Sequence, residues 1–563
     1  MADPDPRGNT PLAERTPPQP AATVVLMRES RDAPEILMLR RSSKASYFSG
    51  AFVFPGGMLD PEDLAPEVVS RVAGMGPRDA DVRLGLESGG LGYWVAVARE
   101  TYEEAGILLA HEENGAPVSP ERVAALSHWR DALNRREASF GELLRSERLV
   151  VPAASVEYFA HWITPPVQKR RFDTRFFIAA SPAGQEGAHD DGETVEALWL
   201  PATEFLERAK RKEIEIALPT LQVLRTMSIH ATPDSAVAHA RSVTVIVTNR
   251  PCFAEGREGR KLFRVGDPQY AEIHWSDPEE TGTTSYDILA DVPKRLDSHV
   301  TRVTAGNPGV MTGPGTNTYL VGGSEVAVID PGPADPAHVA AIIQAAQGRP
   351  IHWILCTHTH RDHSPAAQLL KAATGAQVLG RSAPEAVNHD QSFSPDRTLA
   401  DGDQLDIGGA KLIAIHTPGH ASNHLCFLLD RTGMLFTGDH VMQGSTVVIW
   451  PPDGNMRDYL SSLRKLLERE IAILAPAHGY LMGRPKHEIE RLVEHRLARE
   501  AKVRAALQRA GGAATLDAML PDVYDDVPPA IHPVAARSLL AHLEKLAADG
   551  EIRLQEGVYR VST

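Results

Sequence analysis

Cysteine is scarce in this chain, and long apolar runs are missing. Only Cys252, Cys356 and Cys426 occur among 563 residues, and they form no C-x-x-C pair. This spacing argues against a disulfide framework and against a thiolate zinc site, and it predicts a reducing, cytoplasmic setting. No run reaches the roughly 18 apolar residues of a membrane span, and residues 1–23 lack the apolar core of a signal peptide. We therefore expect a soluble protein without membrane contact, with a disordered tail over residues 1–19.

An excess of positive charge is also missing. The formal net charge is −15, which repels nucleic acids and anionic membranes at long range, so a polyanionic partner would need a local basic patch or a bound metal. What the sequence does have is an ordinary globular composition, with 42% hydrophobic and 23% charged residues. At 563 residues the chain is too long for one core and predicts several domains of about 100–200 residues each.

The order of predicted elements indicates an α/β multi-domain protein. Residues 20–232 begin with three short strands that end at a glycine turn, and a long helix follows. Residues 233–296 are β-rich fragments with many turn residues, which predict a linker or an added sheet. Short strands alternate with helices over residues 297–485, and residues 486–563 follow the helix, helix, helix, hairpin order of a winged helix.

The densest group of ligand-type side chains follows a predicted strand at residues 353–356. Four such side chains fall within residues 358–363 of one short turn. Imidazole and carboxylate groups are favourable zinc ligands, and a catalytic ion needs three protein ligands and one open position. Three further candidates also follow predicted strands. The complete set is His358, His360, Asp362, His363, His420, Asp439 and His478.

Two zinc ions fit this set. The first two histidines of the turn, together with His420, are predicted to hold one ion, and Asp362, His363 and His478 are predicted to hold the second. Asp439 has two carboxylate oxygens and is predicted to bridge the ions. A single buried histidine is more often a structural residue, but seven ligand-type residues at strand ends favour the metal interpretation.

The motif His358-x-His360-x-Asp362-His363 resembles the H-x-H-x-D-H signature of the metallo-β-lactamase superfamily, whose later His, Asp and His follow here in the same order. The resemblance implies an αββα sandwich with two Zn²⁺ ions. Such ions supply hydroxide at neutral pH, which attacks a carbonyl carbon or a phosphorus. Asp362 is then the candidate catalytic residue that receives or returns a proton.

A narrower resemblance concerns the residues around this motif. Asn307-Pro308-Gly309, residues 315–320 and residues 328–332 are similar to the branch called β-lactamase-like protein 2, which also carries a winged-helix tail. Members of that branch are single-strand endoribonucleases, so the resemblance implies phosphodiester cleavage as one activity. Other superfamily members hydrolyse thioesters, lactones or β-lactams, and the shared zinc core does not discriminate among these substrates.

His424, His440 and Cys356 lie close to these motifs in the sequence. Because seven ligands already satisfy two ions with open positions, both histidines are expected to support the site or the fold. Cys356 ends an apolar strand and is predicted to be a packed core thiol.

Three glutamates lie on one predicted helix of the first domain. Glu100, Glu103 and Glu104 are spaced to share a face, where like charges repel each other. One interpretation is a solvated acidic face. The other is that a divalent cation offsets the repulsion and binds a diphosphate in return.

The surrounding sequence resembles the Nudix box, G-x5-E-x7-R-E-U-x-E-E-x-G-U. Its second half matches at residues 99–107, whereas Asp63 stands at the first glutamate position and residues 64–98 replace the spacer. With matching residues at positions 37, 41, 42, 50 and 54–57, the region is similar to the subgroup nucleoside diphosphate-linked moiety X motif 19, which cleaves coenzyme A and its acyl esters. The resemblance implies an α/β/α sandwich, Mg²⁺ or Mn²⁺ held by Glu100, Glu103 and Glu104, and catalysis by the last two. Asp63 is a weaker ligand candidate.

The predicted winged helix is a poor electrostatic match to duplex DNA, because residues 486–563 contain 11 Lys and Arg against 12 Asp and Glu. A cap over the active site is the favoured role. The first helix of this tail is more basic, and its face either guides a single-stranded substrate or is an ordinary solvated surface. Its basic residues are Arg491, Arg496, Arg499, Lys502, Arg504 and Arg509.

These observations predict a two-headed hydrolase. One domain cleaves an ester, thioester or phosphodiester with two zinc ions, and the other cleaves a diphosphate of the coenzyme A or nucleotide type with Mg²⁺ or Mn²⁺. The alternative is a single-strand endoribonuclease whose Nudix-like domain serves only as a nucleotide-binding regulatory module. The expected partners are small-molecule or nucleotide-type substrates, with single-stranded RNA as the substrate of the alternative.

Overall fold

The computed structural model of the chain describes residues 16–43, 49–168, 170–190, 192–386 and 388–562. The chain forms two compact units, Met1–Pro251 and Cys252–Thr563. Of the predicted N-terminal tail, residues 1–15 lie outside the described ranges, and Gln19 already belongs to the first strand. No helix in the described ranges is both long enough and apolar enough to cross a membrane.

The first unit is built from eleven strands and nine α-helices among its described residues. The strands are β1 (Gln19–Arg28), β2 (Glu35–Arg41), β3 (Phe52–Val53), β4 (Gly56–Met58), β5 (Val72–Ala73), β6 (His111–Glu112), β7 (Leu149–Pro152), β8 (Glu157–Ile163), β9 (Phe172–Ala180), β10 (Thr194–Pro201) and β11 (Thr248–Asn249). The helices are α1 (Pro66–Val69), α2 (Pro77–Leu84), α3 (Leu91–Ala105), α4 (Pro120–Ala125), α5 (Ser127–Asn134), α6 (Phe140–Ser146), α7 (Ala202–Lys210), α8 (Leu218–Met227) and α9 (Pro233–Ser242).

Helices cover both faces of the main sheet in this unit. The sheet has the order β10-β2-β1-β9-β8-β11, with β3 paired to β2 and β4 paired to β1. Side chains alternate along β1, so Val24 and Leu26 pack on the face that carries α3. Val25 and Met27 pack on the opposite face, against α7, α8 and α9. This arrangement is the predicted α/β/α sandwich.

The second unit contains the remaining elements. Its strands are β12 (Cys252–Ala254), β13 (Lys261–Phe263), β14 (Lys294–Arg295), β15 (Val300–Thr304), β16 (Asn317–Val321), β17 (Val326–Ile329), β18 (Ile351–Leu355), β19 (Gln377–Gly380), β20 (Arg397–Thr398), β21 (Gln404–Ile407), β22 (Ala410–His416), β23 (Leu425–Leu429), β24 (Met434–Gly438), β25 (Ile473–Pro476), β26 (Ala513–Ala514), β27 (Ile552–Gln555) and β28 (Val558–Val561). Its helices are α10 (Tyr270–Ser276), α11 (Pro336–Ala345), α12 (Ala366–Thr374), α13 (Met456–Leu467), α14 (Pro485–Arg509), α15 (Leu516–Val523) and α16 (His532–Ala548).

Two sheets pack face to face in the centre of this unit. A seven-stranded sheet runs from β14 to β20, and a five-stranded sheet runs from β21 to β25. Tyr319 and Leu355 of the first sheet share a buried core with Phe427 and Phe436 of the second. The outer face of the first sheet packs against α11 and α12, and that of the second packs against α13 and the start of α14. The result is the predicted αββα sandwich.

The C-terminal part has the predicted winged-helix order. Helices α14, α15 and α16 are followed by the hairpin of β27 and β28, and β26 completes a three-stranded sheet. These elements have their own core, which includes Leu507, Leu539, Leu543 and Tyr559. Burial of such side chains contributes about 1.5–3 kcal/mol each and favours packing of the three helices on the small sheet.

The segment 233–296, expected to be a linker or an added sheet, is divided between the two units. Helix α9 buries Ala236 and Ala240 in the core of the first unit, and β11 pairs in parallel with β8. From Cys252 onward the chain belongs to the second unit, where β12, β13 and α10 form a small cluster around Ile273 and Tyr286. The segment is divided in this way because the apolar residues before Cys252 pack in the core of the first unit, whereas those from Cys252 onward pack in a cluster of the second unit.

Candidate metal centres

The histidine-rich turn follows β18 at one edge of the seven-stranded sheet. Strands β17, β18 and β19 run in parallel, so the residues that follow them emerge at the same edge. In the other sheet, β24 and β25 are also parallel, and Asp439 and His478 follow them. His420 follows β22 in the same sheet. Packing of the two sheets therefore brings four strand ends together.

The structure places the seven sequence-predicted residues in two adjacent groups. His358, His360, His420 and Asp439 offer one ligand atom each, and these atoms lie within 4.8 Å of one another. Asp362, His363 and His478 form the second group by the same measure. Each group provides at least the three protein ligands that a catalytic ion requires.

Asp439 lies between the two groups. Its Oδ2 atom is 3.7 Å from His420 Nε2 and 3.6 Å from His363 Nε2. Its Oδ1 atom is 3.3 Å from His478 Nε2. A carboxylate with neighbours in both groups has the position required of a bridging ligand.

Burial and charge divide the histidines into two kinds. Burial lowers the pKa of His358, His360 and His420, and this favours the neutral imidazole that binds metals. Burial opposes charge on His363 and His478 as well, but nearby carboxylates outweigh it; the pKa of His363 rises well above its usual value and that of His478 rises to about 9. In the metal-free protein, the surroundings of His363 and His478 thus favour their protonated, positively charged forms.

The two carboxyl groups are ionised in this surrounding. Burial would raise the pKa of Asp362, but the charge on His363 and a hydrogen bond from His478 outweigh burial and lower it to about 2. The pKa of Asp439 is also held well below its ordinary value, chiefly by the charges on His478 and His363, against the effect of burial. Both groups are available as anionic ligands at neutral pH.

Buried polar atoms without hydrogen-bond partners support a cation at this position. His363 Nε2 and Asp439 Oδ1 are both buried and have no hydrogen-bond partner. Burial of such unsatisfied atoms is costly unless a ligand satisfies them. A metal ion that accepts both lone pairs is therefore compatible with the side chains present.

Asp330 forms hydrogen bonds with the histidine-rich turn and was not a predicted site residue. Its carboxylate accepts hydrogen bonds from Thr357 N (2.7 Å) and Thr357 Oγ1 (2.7 Å), and its Oδ2 atom lies 2.9 Å from His363 Nδ1. Its backbone has φ of 51°, an unusual value for a residue other than glycine. The sequence offered a signal only as part of the run from Val328 to Gly332, because hydrogen bonds between separate strand ends leave no spacing pattern.

A second supporting group lies on the other side of the turn. His389 Nδ1 is 2.7 Å from Thr359 Oγ1, and His389 Nε2 is 3.1 Å from Asp453 Oδ2. The neighbouring Asn388 places its Nδ2 atom 2.6 Å from His360 Nε2. His389 and Asn388 lie in an irregular segment without periodicity, so sequence reasoning did not find them. Such outer partners orient ligand imidazoles.

His424 and His440 are fully buried beside the two groups but belong to neither. His424 Nδ1 lies 2.9 Å from Thr417 Oγ1, and its ring centre is 5.0 Å from that of His358. The ring centre of His440 is 4.9 Å from that of Tyr459. Cys356 is buried, and burial raises the pKa of its thiol well above the usual value. These positions agree with the expected supporting and packing roles.

In the first unit, Arg99 occupies the centre of the predicted glutamate site. Its Nε and Nη2 atoms donate to the two oxygens of Asp63, each at 2.9 Å. Its Nη1 atom donates to Glu100 Oε1 at 2.9 Å and to Glu103 Oε2 at 3.3 Å. Glu104 points elsewhere, since its Oε2 atom accepts from Gly56 N at 3.0 Å. Among the described residues, these glutamates do not form a three-ligand group of the kind found in the second unit.

The long insertion between the two halves of the box leaves this arrangement intact. Residues 64–98 form α1, β5, α2 and the start of α3, and they return the chain so that Arg99 meets Asp63. Asp63 is buried in a short 3₁₀ helix capped by Asp60, and its carboxylate accepts from Asp60 N as well as from Arg99. Asp63 thus anchors Arg99. Gly57 lies against Glu100, and a Cβ atom at this position would lie 2.3 Å from Glu100 Oε1 and displace the carboxylate.

The three glutamates resist ionisation in this structure. Burial raises the pKa of Glu100 to about 7, although Arg99 opposes the effect. Burial likewise raises the pKa of Glu103, and burial with the nearby charge of Glu100 raises that of Glu104 well above its ordinary value. A divalent cation would therefore compete with protons and with Arg99 for these oxygens.

Acidic partners neutralise much of the basic face of α14. Arg499 is buried and donates to both oxygens of Asp526, and Lys502 pairs with Asp525. Arg504 pairs with Glu551, and Arg509 pairs with Asp522. Arg496 is also buried. The face is thus not a free cationic track for a single-stranded nucleic acid.

Comparison with known proteins agrees with this architecture. The sequence matches three family models: the Metallo-beta-lactamase superfamily over residues 311–478, the NUDT19 Nudix domain over residues 88–227 and the Beta-lactamase associated winged helix domain over residues 515–558.

Similar proteins include the Lactamase-like protein adaB of Aspergillus niger, which is 30% identical over 52% of this chain and 92% of its own length. A Beta-lactamase-like protein 2 homolog of Drosophila melanogaster is 30% identical over 46% of this chain and 92% of its own length. An Atrochrysone carboxyl ACP thioesterase of Aspergillus chevalieri is 33% identical over 51% of this chain and 93% of its own length.

Proposed function

The chain belongs to the metallo-β-lactamase superfamily of hydrolases, and from this premise we propose that its second unit is a dinuclear zinc thioesterase. One observation carries the proposal: ligand atoms from four strand ends form two adjacent groups, and Asp439 of the first group also lies near His363 of the second. We assign one ion to His358, His360 and His420, and the second ion to Asp362, His363 and His478, with Asp439 as the bridge.

When bound, zinc supplies Lewis acidity that makes water acidic enough to attack at neutral pH and stabilises oxyanion charge. The chain's own residues then orient the reaction. Asp330 Oδ2 lies 2.9 Å from His363 Nδ1 and directs the opposite ring nitrogen toward the ligand groups. Asp362, whose Oδ2 atom lies 3.4 Å from His478 Nε2, is the proposed group that accepts and returns a proton.

The choice of a thioester over RNA is supported by charge and by relatives. A net charge of −15 disfavours a polyanionic substrate, and acidic partners compensate the cations of α14. An ester or thioester carbonyl needs no such cationic track. Relatives of this chain include the Atrochrysone carboxyl ACP thioesterase of Aspergillus chevalieri and a protein of Emericella nidulans named Thioesterase pkgB. Transfer of that activity to this chain is part of the proposal.

For the first unit we propose hydrolysis of a diphosphate of the coenzyme A type with Mg²⁺ or Mn²⁺. The match to the NUDT19 Nudix domain over residues 88–227 and the retained Asp63–Arg99 pair favour this activity. Glu100, Glu103 and Glu104 would hold the cation, and the last two are the proposed catalytic residues. A thioester of coenzyme A would then be a chemically consistent substrate for the second unit.

The decisive experiment incubates the zinc-loaded full-length chain with an acyl-coenzyme A thioester and, separately, with single-stranded RNA. We expect thiol release from the thioester and intact RNA. Asp362→Asn should abolish most thiol release, whereas His352→Asn, at an exposed histidine of β18, serves as the matched control. Cleavage of RNA with an intact thioester would favour the endoribonuclease alternative, and full activity of Asp362→Asn would remove the proposed catalytic role.

A further inference from the structure

We propose that helix α10 clamps the loop that carries His478, and that Glu272 is the positioning residue for this histidine. The inference rests on the proposed function, because it assumes that His478 is a metal ligand. Helix α10 lies in the segment that sequence analysis assigned to a linker or an added sheet. That segment also lies outside all three regions matched by the family models, so the family resemblance assigns it no role.

Glu272 bonds directly to the loop formed by residues 476–481. Leu481 N donates to Glu272 Oε2 at 3.0 Å, although the two residues are 209 positions apart in sequence. Arg302 donates from Nη1 to Oε2 at 2.5 Å and from Nη2 to Oε1 at 3.1 Å. Arg302 Nη1 also lies 3.4 Å from the carbonyl oxygen of Gly479. The carboxylate therefore holds the loop both directly and through Arg302.

Burial restricts the arrangements open to the ion pair of Glu272 and Arg302. The side chain of Glu272 is 1% exposed and that of Arg302 is 2% exposed, while Lys294 Nζ donates to Glu272 Oε1 at 2.6 Å. Burial alone would raise the pKa of Glu272, but the charges of Arg302 and Lys294 outweigh it and lower the pKa. A buried carboxylate with two cationic partners has few alternative arrangements, since losing any partner leaves an uncompensated charge.

Other contacts from the same segment reach the same loop. Tyr480 Oη donates to the carbonyl oxygen of Tyr286 at 2.8 Å. Gln443 donates from Nε2 to the carbonyl oxygen of Pro268 at 2.8 Å and accepts from Tyr480 N at 2.8 Å. From the sheet, Asn317 Nδ2 donates to the Gly479 carbonyl oxygen at 2.8 Å. The loop is thus held between β16 and the segment that contains α10.

The clamp matters because the position of the His478 ring decides whether its Nε2 atom reaches the other ligand groups. Its Nε2 atom is 3.4 Å from Asp362 Oδ2 and 3.3 Å from Asp439 Oδ1. Its backbone is connected to Gly479, which both Arg302 and Asn317 contact. Partners that orient a metal ligand typically change metal affinity by about 10- to 100-fold when removed. Glu272 is therefore expected to control retention of the ion assigned to His478 more than that of the other ion.

The test compares Glu272→Gln with Glu279→Gln in the full-length chain. Glutamine keeps the shape of Glu272 but removes the charge that Arg302 requires. Glu279→Gln makes the same change at an exposed glutamate in the turn that follows α10, so it is the matched control. Two readouts are used: hydrogen exchange of peptides covering residues 476–482 in metal-free protein, and the rate at which zinc passes to a chromophoric chelator.

We expect Glu272→Gln to accelerate exchange in residues 476–482 by about 10-fold or more and to release one of two zinc ions about 10-fold faster. Glu279→Gln should leave both rates near wild type. If Glu272→Gln does not fold, the double variant Glu272→Met/Arg302→Met removes both charges and should give the same two local effects.

The clamp would be overturned if Glu272→Gln matched Glu279→Gln in both readouts, or if exchange accelerated equally throughout the second unit. If the wild-type chain held no zinc, the proposed function would fail. In that case the exchange comparison in metal-free protein would still support or overturn the clamp itself.

Discussion

In the second unit, ligand-type side chains from four strand ends meet in two groups, and His363 Nε2 and Asp439 Oδ1 remain without hydrogen-bond partners. In the first unit, three glutamates share one helix, and Arg99 already pairs with Glu100 and Glu103. Both regions bury carboxylates, but the charge is balanced differently. Imidazoles surround the carboxylates of the histidine site, whereas an arginine and protons compensate those of the glutamate site.

This difference shows that two hydrolytic sites in one chain can have different degrees of preorganisation. At the histidine site a cation would satisfy atoms that have no other partner. A cation replaces protons at both sites, but at the glutamate site it must also move Arg99, which already pairs with Glu100 and Glu103. We therefore expect zinc binding to need little rearrangement, and magnesium binding to depend on pH and on the substrate's own phosphate oxygens.

The largest expected effect is that of Asp439→Asn. Loss of the proposed bridge should reduce zinc from two ions per chain to one or fewer and slow thioester hydrolysis by more than about 100-fold, because even outer partners of metal ligands are worth about 10- to 100-fold. Elemental analysis and thiol release measure these changes. Hydrolysis of a coenzyme A diphosphate should remain unchanged, and its loss would show that the two sites are not independent.

A somewhat smaller effect is expected from Glu104→Gln in the first unit. Mg²⁺-dependent diphosphate hydrolysis should fall by about 100-fold, since a positioned carboxylate typically contributes that much. The metal-free protein should not be destabilised, because the raised pKa of Glu104 already disfavours its charged form. Product formation and thermal denaturation test the two statements. Glu207→Gln, at an exposed glutamate of α7, is the control. An inactive, destabilised variant would contradict the proposed charge state.

His389→Gln should have a moderate effect. The Nδ1 and Nε2 atoms of His389 lie near Thr359 Oγ1 and Asp453 Oδ2, so its loss should loosen the turn and weaken zinc binding by about 10-fold. Competition with a chelator measures the affinity, and His352→Gln serves as the exposed control. Unchanged affinity would indicate that preorganisation of the histidine site does not depend on this outer pair.

The smallest effect concerns pH in the metal-free first unit. The pKa of Glu100 is about 7 in the folded chain and near the ordinary 4.5 when unfolded, so the folded state binds more protons between these values. The free energy of unfolding should therefore fall as pH rises from about 4.5 to about 7. Exchange rates of peptides from α3, corrected for intrinsic exchange, measure this trend. Glu100→Gln should weaken the dependence, as should saturating Mg²⁺. Rising stability over this range would contradict the assigned direction.

The sequence pattern pointed to the seven residues of the proposed histidine site because they follow strands, and the structure brings their ligand atoms into two groups. It also indicated the three glutamates of α3, since their spacing is local. The same reasoning missed Asp330 and His389, which act through hydrogen bonds to Thr357, Thr359 and His363. It also could not divide residues 233–296 between two cores, because short apolar fragments do not specify which surface they cover.

By itself the sequence determined the class of each domain and the chemistry of its ligands. Side-chain periodicity reports which face of a strand or helix is buried, and residue type decides which ions a group can bind. Only the tertiary structure decided which groups compensate the charge of the buried carboxylates at each site. Asp63 meets Arg99 across 36 positions, and Glu272 meets Leu481 across 209. Loop-closure entropy depends only weakly on such separations, so contacts of this kind are selected by the packing of the whole unit and leave no local pattern.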